Sequence, residues 1–191
     1  MPSKVRARRL PRPNVTLLCR RIVADMAKRL PEFSHVRPAR ILFVAGEARR
    51  GSRATIRPLA KAKIALKGRR AMYCVTLRPR FFRASTPEQR VATLLHELLH
   101  ISPAFDGRLD PARRHAELPK GKFEALLRPL VRRYLAAGDA ALLGGMAYHG
   151  EALARQWLER PTTRRSGRQT YTEKHLFVGP VQMLTRRKLN S

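Results

Sequence analysis

Acidic residues are scarce in this chain: 13 Asp and Glu stand against 41 Lys and Arg in 191 residues, a formal net charge of +28. Self-repulsion at that density opposes compaction, so the imbalance raises the expectation of an anionic partner. Cysteine is nearly absent, with only Cys19 and Cys74 present. Two thiols exclude a disulfide framework and a four-cysteine zinc site, and they fit reduced core residues of a cytoplasmic protein. No segment approaches the ~18 consecutive apolar residues of a membrane span, and no membrane partner is expected. A signal-peptide core is missing as well, because Arg20 and Arg21 interrupt the only apolar stretch after the basic start. Repeats and low-complexity tracts are absent. What is present is 43 % hydrophobic residues, enough in one chain of this length to bury one core.

The charge is unevenly placed. Residues 1 to 83 carry 23 basic and 3 acidic side chains, residues 84 to 159 carry 10 and 9, and residues 160 to 191 carry 8 and 1. A nearly neutral middle thus lies between cationic flanks. Arginine, with its phosphate-matching fork, dominates lysine 32 to 9, which suits DNA or RNA better than a lipid surface. The expected organisation is a disordered basic arm at 1–13, a folded domain at 14–159 and a basic C-terminal tail at 160–191. Within the tail, Arg164, Arg165, Arg168, Arg186, Arg187 and Lys188 are the candidate phosphate contacts.

Element signals point to an α+β fold. From Asn14, apolar residues at helical spacing run to Leu30, and Pro31 closes the helix. Three strand-like stretches follow, at 40–46, at 54–66 with an edge strand broken by Pro58, and at 71–79, read together as an antiparallel meander on the first helix. Thr86, Pro87 and Gln89 form a capping-box start for a helix that ends at Ser102-Pro103. Further helices are expected at 123–137 and 139–159, the second weakened by Gly144-Gly145. HLFVGPVQML near the C-terminus is β-like. Phe81, Phe82 and Trp157 read as core residues.

The helix opened by Thr86 carries chemistry. His96-Glu97-Leu98-Leu99-His100 matches H-E-x-x-H, in which two histidines one helical turn apart can hold one Zn²⁺. Glu97, offset by about 100° on the helix, suits a general base for an attacking water. Val91, Leu94, Leu95, Leu98 and Leu99 anchor the helix to the core. A catalytic zinc takes a third protein ligand. The candidates are His115, after a Gly/Pro-bearing loop, Asp106 at +10 from His96, and Glu124 or Glu151 on later helices. Asp106 or Asp110 can alternatively orient a histidine. Tyr148, His149, Arg113 and Arg114 are candidate donors to a tetrahedral oxyanion, and AMYCVTLRP is the candidate edge strand for an extended peptide.

The run from RPRFF through PEQR, LLHELLHI and the FDG loop to His115 and Phe123, about residues 37–137, resembles the putative phage metallopeptidase family, small domains similar in layout to SprT-like proteases. The resemblance implies a zincin-like fold, with a helix packed on a small sheet, the H-E-x-x-H helix and further helices. It also implies a zinc-dependent peptidase with His96, His100 and His115 as ligands, Glu97 as catalytic base and a protein or peptide as substrate. Two other readings compete. One is a basic nucleic-acid-binding protein with a structural metal or none, and the other is a zinc-dependent ribonuclease.

Overall fold

The computed structural model describes residues 11–49, 51–59, 64–114, 119, 121–159, 161 and 170–184. His115 and the six basic tail residues named above lie outside the described residues, as does most of the expected N-terminal arm. The fold is α+β. Helix α1 (Val15–Arg29) starts at Asn14, whose side chain accepts the Leu17 N–H at 3.0 Å, and buries Val15, Cys19, Ile22, Val23 and Met26. These positions recur at helical spacing, which is why one face meets the core.

The sheet corrects the expected meander. Strands β1 (Ile41–Ala45), β2 (Ala54–Pro58) and β5 (Tyr73–Leu77) lie in the order β1-β5-β2, with β1 parallel to β5 and β2 antiparallel to it. The strand expected to supply the edge is therefore the central one. Composition explains the swap: YCVTL is buried on both faces, whereas β2 carries Arg57 and ends on Pro58, whose missing N–H suits an edge. The short strands β3 (Ala65–Leu66) and β4 (Arg69–Arg70) form a separate hairpin.

Side chains alternate across β5, so the two sheet faces bury two clusters. Tyr73, Val75 and Leu77 pack with α1 and with helices α3 (Pro87–Leu99) and α4 (Lys122–Ala137). On the opposite face, Cys74 joins Leu42, Val44, Ile64 and Tyr171. Phe81 and Phe82, on α2 (Pro79–Arg83), are core residues as expected, with rings 5.4 Å apart.

The expected helix at 139–159 is replaced by two elements. Helix α5 (Ala140–Met146) ends just after the Gly144-Gly145 pair, and β6 (Gly150–Trp157) follows, opened by Gly150 at φ +131°. Strand β6 pairs antiparallel with β7 (Leu176–Met183), the β-like stretch near the C-terminus. Pairing overrides the helix propensity of ALARQWLE, because Ala152 and Ala154 alternate into the core. Packed structure thus continues past Glu159, into the segment expected as a tail. At the other end, Pro13 accepts the Leu153 N–H at 2.8 Å and Arg12 pairs with Glu151 at 2.5 Å.

Arg90 ties the parts together. Fully buried on α3, its guanidinium donates to the carbonyls of Phe81 (3.1 Å), Phe82 (2.9 Å), Leu184 (3.0 Å) and Met146. Among the described residues, no helix is long and apolar enough to cross a membrane.

Candidate metal centre

Helix α3 begins as its sequence dictates. The Thr86 hydroxyl accepts the Gln89 N–H and the Gln89 side chain accepts the Thr86 N–H, each at 3.2 Å, with Pro87 in the first turn. The apolar stripe then buries Val91, Leu94, Leu95, Leu98 and Leu99 and leaves His96 and His100 partly exposed at the C-terminal end. Their ring centroids are 5.1 Å apart. Two imidazoles bound tetrahedrally to one ion through ~2.1 Å bonds would have centroids roughly 5 Å apart. The separation of the pair matches that expected of two imidazoles on one ion.

The loop after α3 is folded back onto the helix end. Asp110 donates its N–H to the His100 carbonyl at 2.8 Å, and Ile101 bridges Leu109. The Tyr73 hydroxyl accepts the Gly107 N–H at 3.1 Å and donates to the Arg108 carbonyl at 2.8 Å, so the central strand holds the FDG turn. Phe105 takes a left-handed φ of +49° there, its ring 5.1 Å from that of Tyr73. Asp106 spends its carboxylate within this turn, accepting the Arg108 N–H at 3.0 Å. Asp110 caps Ala112 and pairs with Arg113 at 3.3 Å, while Arg113 donates to the Leu99 carbonyl at 3.4 Å. The chain is therefore fixed at the end of α3 two residues before His115. It returns at Phe123, whose ring lies 4.5 Å from that of His96 and 5.1 Å from that of His100. Among the described residues, no third His, Cys, Asp or Glu joins the histidine pair.

Glu97 is buried at 6 % exposure, and burial pushes its carboxyl up to about 7, against the opposing pull of the Ile56 N–H and the Arg78 guanidinium. The Ile56 contact follows from strand order. In β2 the odd-numbered residues bond to β5, as the Arg53 and Leu59 contacts show. The even-numbered Ile56 consequently turns its N–H outward, to α3. The edge strand beside the H-E-x-x-H helix is β2.

A cleft of about 460 Å³ opens here between α3, α4 and the start of β2. His96, Glu97 and Glu124 line it, together with Arg53, Arg128 and Arg132. Glu124 thus shares the cleft with the motif. Glu151 does not line it and pairs instead with Arg12. Tyr148 donates its hydroxyl to the Glu151 carbonyl at 3.1 Å, away from the cleft. Sequence reasoning missed Ile56, whose contact depends on strand order. It named Phe123 only as the opening of a helix. The only local signal for its stacking role is the aromatic ring at that start.

A family model described as "Putative phage metallopeptidase" matches residues 17–129. No curated protein and no solved structure gives a significant match.

Proposed function

Because the chain belongs to the phage metallopeptidase family, we propose that it is a zinc-dependent peptidase of zincin-like layout, with His96, His100 and His115 holding the metal and Glu97 as the catalytic base. The observation that carries this reading is the histidine pair one turn apart with a buried carboxyl of raised pKa between them in sequence. The described residues on either side of His115 in sequence lie at the end of α3, Arg113 donating to the Leu99 carbonyl and Phe123 packing on the two rings. When bound, zinc supplies Lewis acidity, polarising the scissile carbonyl and acidifying the attacking water. Glu97 takes the proton of that water and passes it to the leaving amine, a role that suits a carboxyl titrating near neutral pH. An extended substrate adds along β2, the edge strand beside α3. The basic flanks, Arg164, Arg165, Arg168, Arg186, Arg187 and Lys188 among them, hold the enzyme near DNA or RNA, so its substrates are proteins bound there.

The test is a protease assay on casein and on a DNA-bound protein, run with the parent and Glu97→Gln. Loss of cleavage with unchanged zinc content and melting temperature is expected. Equal cleavage by both would end the peptidase reading. RNA loss that depends on His96 and His100, without proteolysis, would replace it by a ribonuclease.

A further inference from the structure

A second cleft, larger at about 670 Å³, lies across the sheet from the histidines. Its floor includes Thr76 and Arg57. Arg57 pairs with Cys74 and so belongs to the sheet face turned away from α3. The β6–β7 hairpin forms the opposite wall through Gln156, Trp157 and Gln182, and α2 closes the end with Phe82 and Arg83.

The cleft is cationic and built. Arg78, 3 % exposed, is held at its end by bonds from Nη1 to the Glu47 carbonyl (2.9 Å) and from Nη2 to the Thr55 hydroxyl (2.8 Å). Arg57 is half-buried and Arg83 exposed. Two glutamates also line it, but the carboxylate of Glu151 is already paired with Arg12 at 2.5 Å, which leaves Glu47 against three guanidinium groups. Trp157 is the only tryptophan of the chain, half-buried and perpendicular to Tyr171 at 6.0 Å. Both ends of the hairpin wall lead into basic sequence. Leu158 lines the cleft and is followed by Arg160, Arg164, Arg165 and Arg168. Leu184 donates its N–H to Phe82 at 2.9 Å and is followed by Arg186, Arg187 and Lys188.

We propose that this cleft seats a single strand of nucleic acid, with phosphates on Arg57 and Arg83, the buried charge of Arg78 beneath them, and a base against Trp157. Guanidinium forks match phosphodiester oxygens, and an indole offers stacking that any base can use. The amides of Gln156 and Gln182 add donors and acceptors for base edges. Stacking on an indole takes an unpaired base, which favours a single strand over a duplex. A peptide of acidic residues alone would satisfy the arginines but has no aromatic ring for Trp157. The site needs neither the metal nor Glu97, so its failure and the failure of the peptidase reading are separate results.

The full-length protein is titrated with a short 5′-labelled oligothymidylate, following label anisotropy and Trp157 emission together. Binding is expected to quench the tryptophan. Arg57→Ala with Arg83→Ala should weaken binding at least tenfold and lower the salt slope by about two phosphate contacts, whereas the corresponding lysine pair should lose less. Arg37→Ala with Arg69→Ala, exposed arginines outside the cleft, serves as the charge-matched control and should change binding less than twofold. Binding with unchanged Trp157 emission, or equal losses from the two alanine pairs, would overturn the proposal in favour of diffuse surface charge. A polyglutamate peptide that binds as tightly with the same quench would overturn it in favour of an acidic-peptide site.

Discussion

The two clefts share one three-stranded sheet but are assembled differently. The front cleft takes His96 and Glu97 from one turn of α3, and a local pattern of five residues sets His100 beside His96. The rear cleft draws on β1, β2, β5, α2, β6 and β7, segments separated by more than a hundred residues. Residues 17–129, which match the family model, contain all of the front cleft's motif but neither strand of the hairpin that walls the rear one. A motif set by helical spacing lies within that region, and a cleft set by tertiary assembly is partly built outside it. Arg78 is common to both, lining the rear cleft while its charge opposes the upward shift of Glu97.

The largest effect that would sharpen this contrast is Glu97→Gln. Loss of the base should cost about three orders of magnitude in turnover, while oligothymidylate binding stays within twofold of the parent. A fall in both, measured side by side on one preparation, would mean that the two faces are not separable.

Next in size is Arg90→Met, which removes the charge that joins α3 to α2, α5 and the end of β7. Four carbonyls lose a shared donor, and the expected destabilisation is about 3 kcal/mol, or a fall of roughly 10 °C in melting temperature for a chain of this size. Trp157 emission and far-UV ellipticity, followed together, report the hairpin and the rest of the fold. Coincident loss of both signals would show that front and rear unfold as one unit.

How much of each face could be read beforehand follows the same division. The Asn14 and Thr86 caps, the span of α1, the position of β1 and the break of β2 at Pro58 are local signals, and the structure agrees with them. Strand order is not local: β5 takes the centre because YCVTL can be buried on both faces, a property that shows only when the three strands compete for the middle. Likewise, ALARQWLE carries good helix formers and becomes β6 only because LFVGPVQM is available to pair with it. At the site, His96, Glu97 and His100 were legible from spacing alone. The Ile56 N–H on Glu97 and the aromatic cover of Phe123 were not, since both arise from packing between elements distant in sequence.

The pH dependence of turnover separates the faces again. Glu97 must be ionised to accept a proton, and burial holds its carboxyl near pH 7. Activity should therefore fall as pH drops below about 8, approaching tenfold per unit, a loss of about 50-fold, or roughly 2.3 kcal/mol, between pH 7 and pH 5. Above about pH 8 it should be flat. Oligothymidylate binding, which rests on arginines, should not follow that profile. A rate unchanged down to pH 5 would remove Glu97 as the base.

Gly46 → Ala is the smallest perturbation and the most direct probe of the rear floor. A Cβ at this position would lie 2.4 Å from Thr76 Cγ2 and 3.6 Å from Arg78 Nη1. The first distance requires the Thr76 side chain to rotate, and relief through one short side chain should limit the loss of stability to about 1 kcal/mol. The second places the new methyl group at ordinary contact distance from the guanidinium, so Arg78 should keep its bonds to Glu47 and Thr55. Oligothymidylate binding should weaken a few fold as the slot narrows, with turnover within twofold of the parent. A tenfold loss of turnover would instead show that Arg78 transmits the change from floor to Glu97, and the two clefts would then have to be treated as one coupled site.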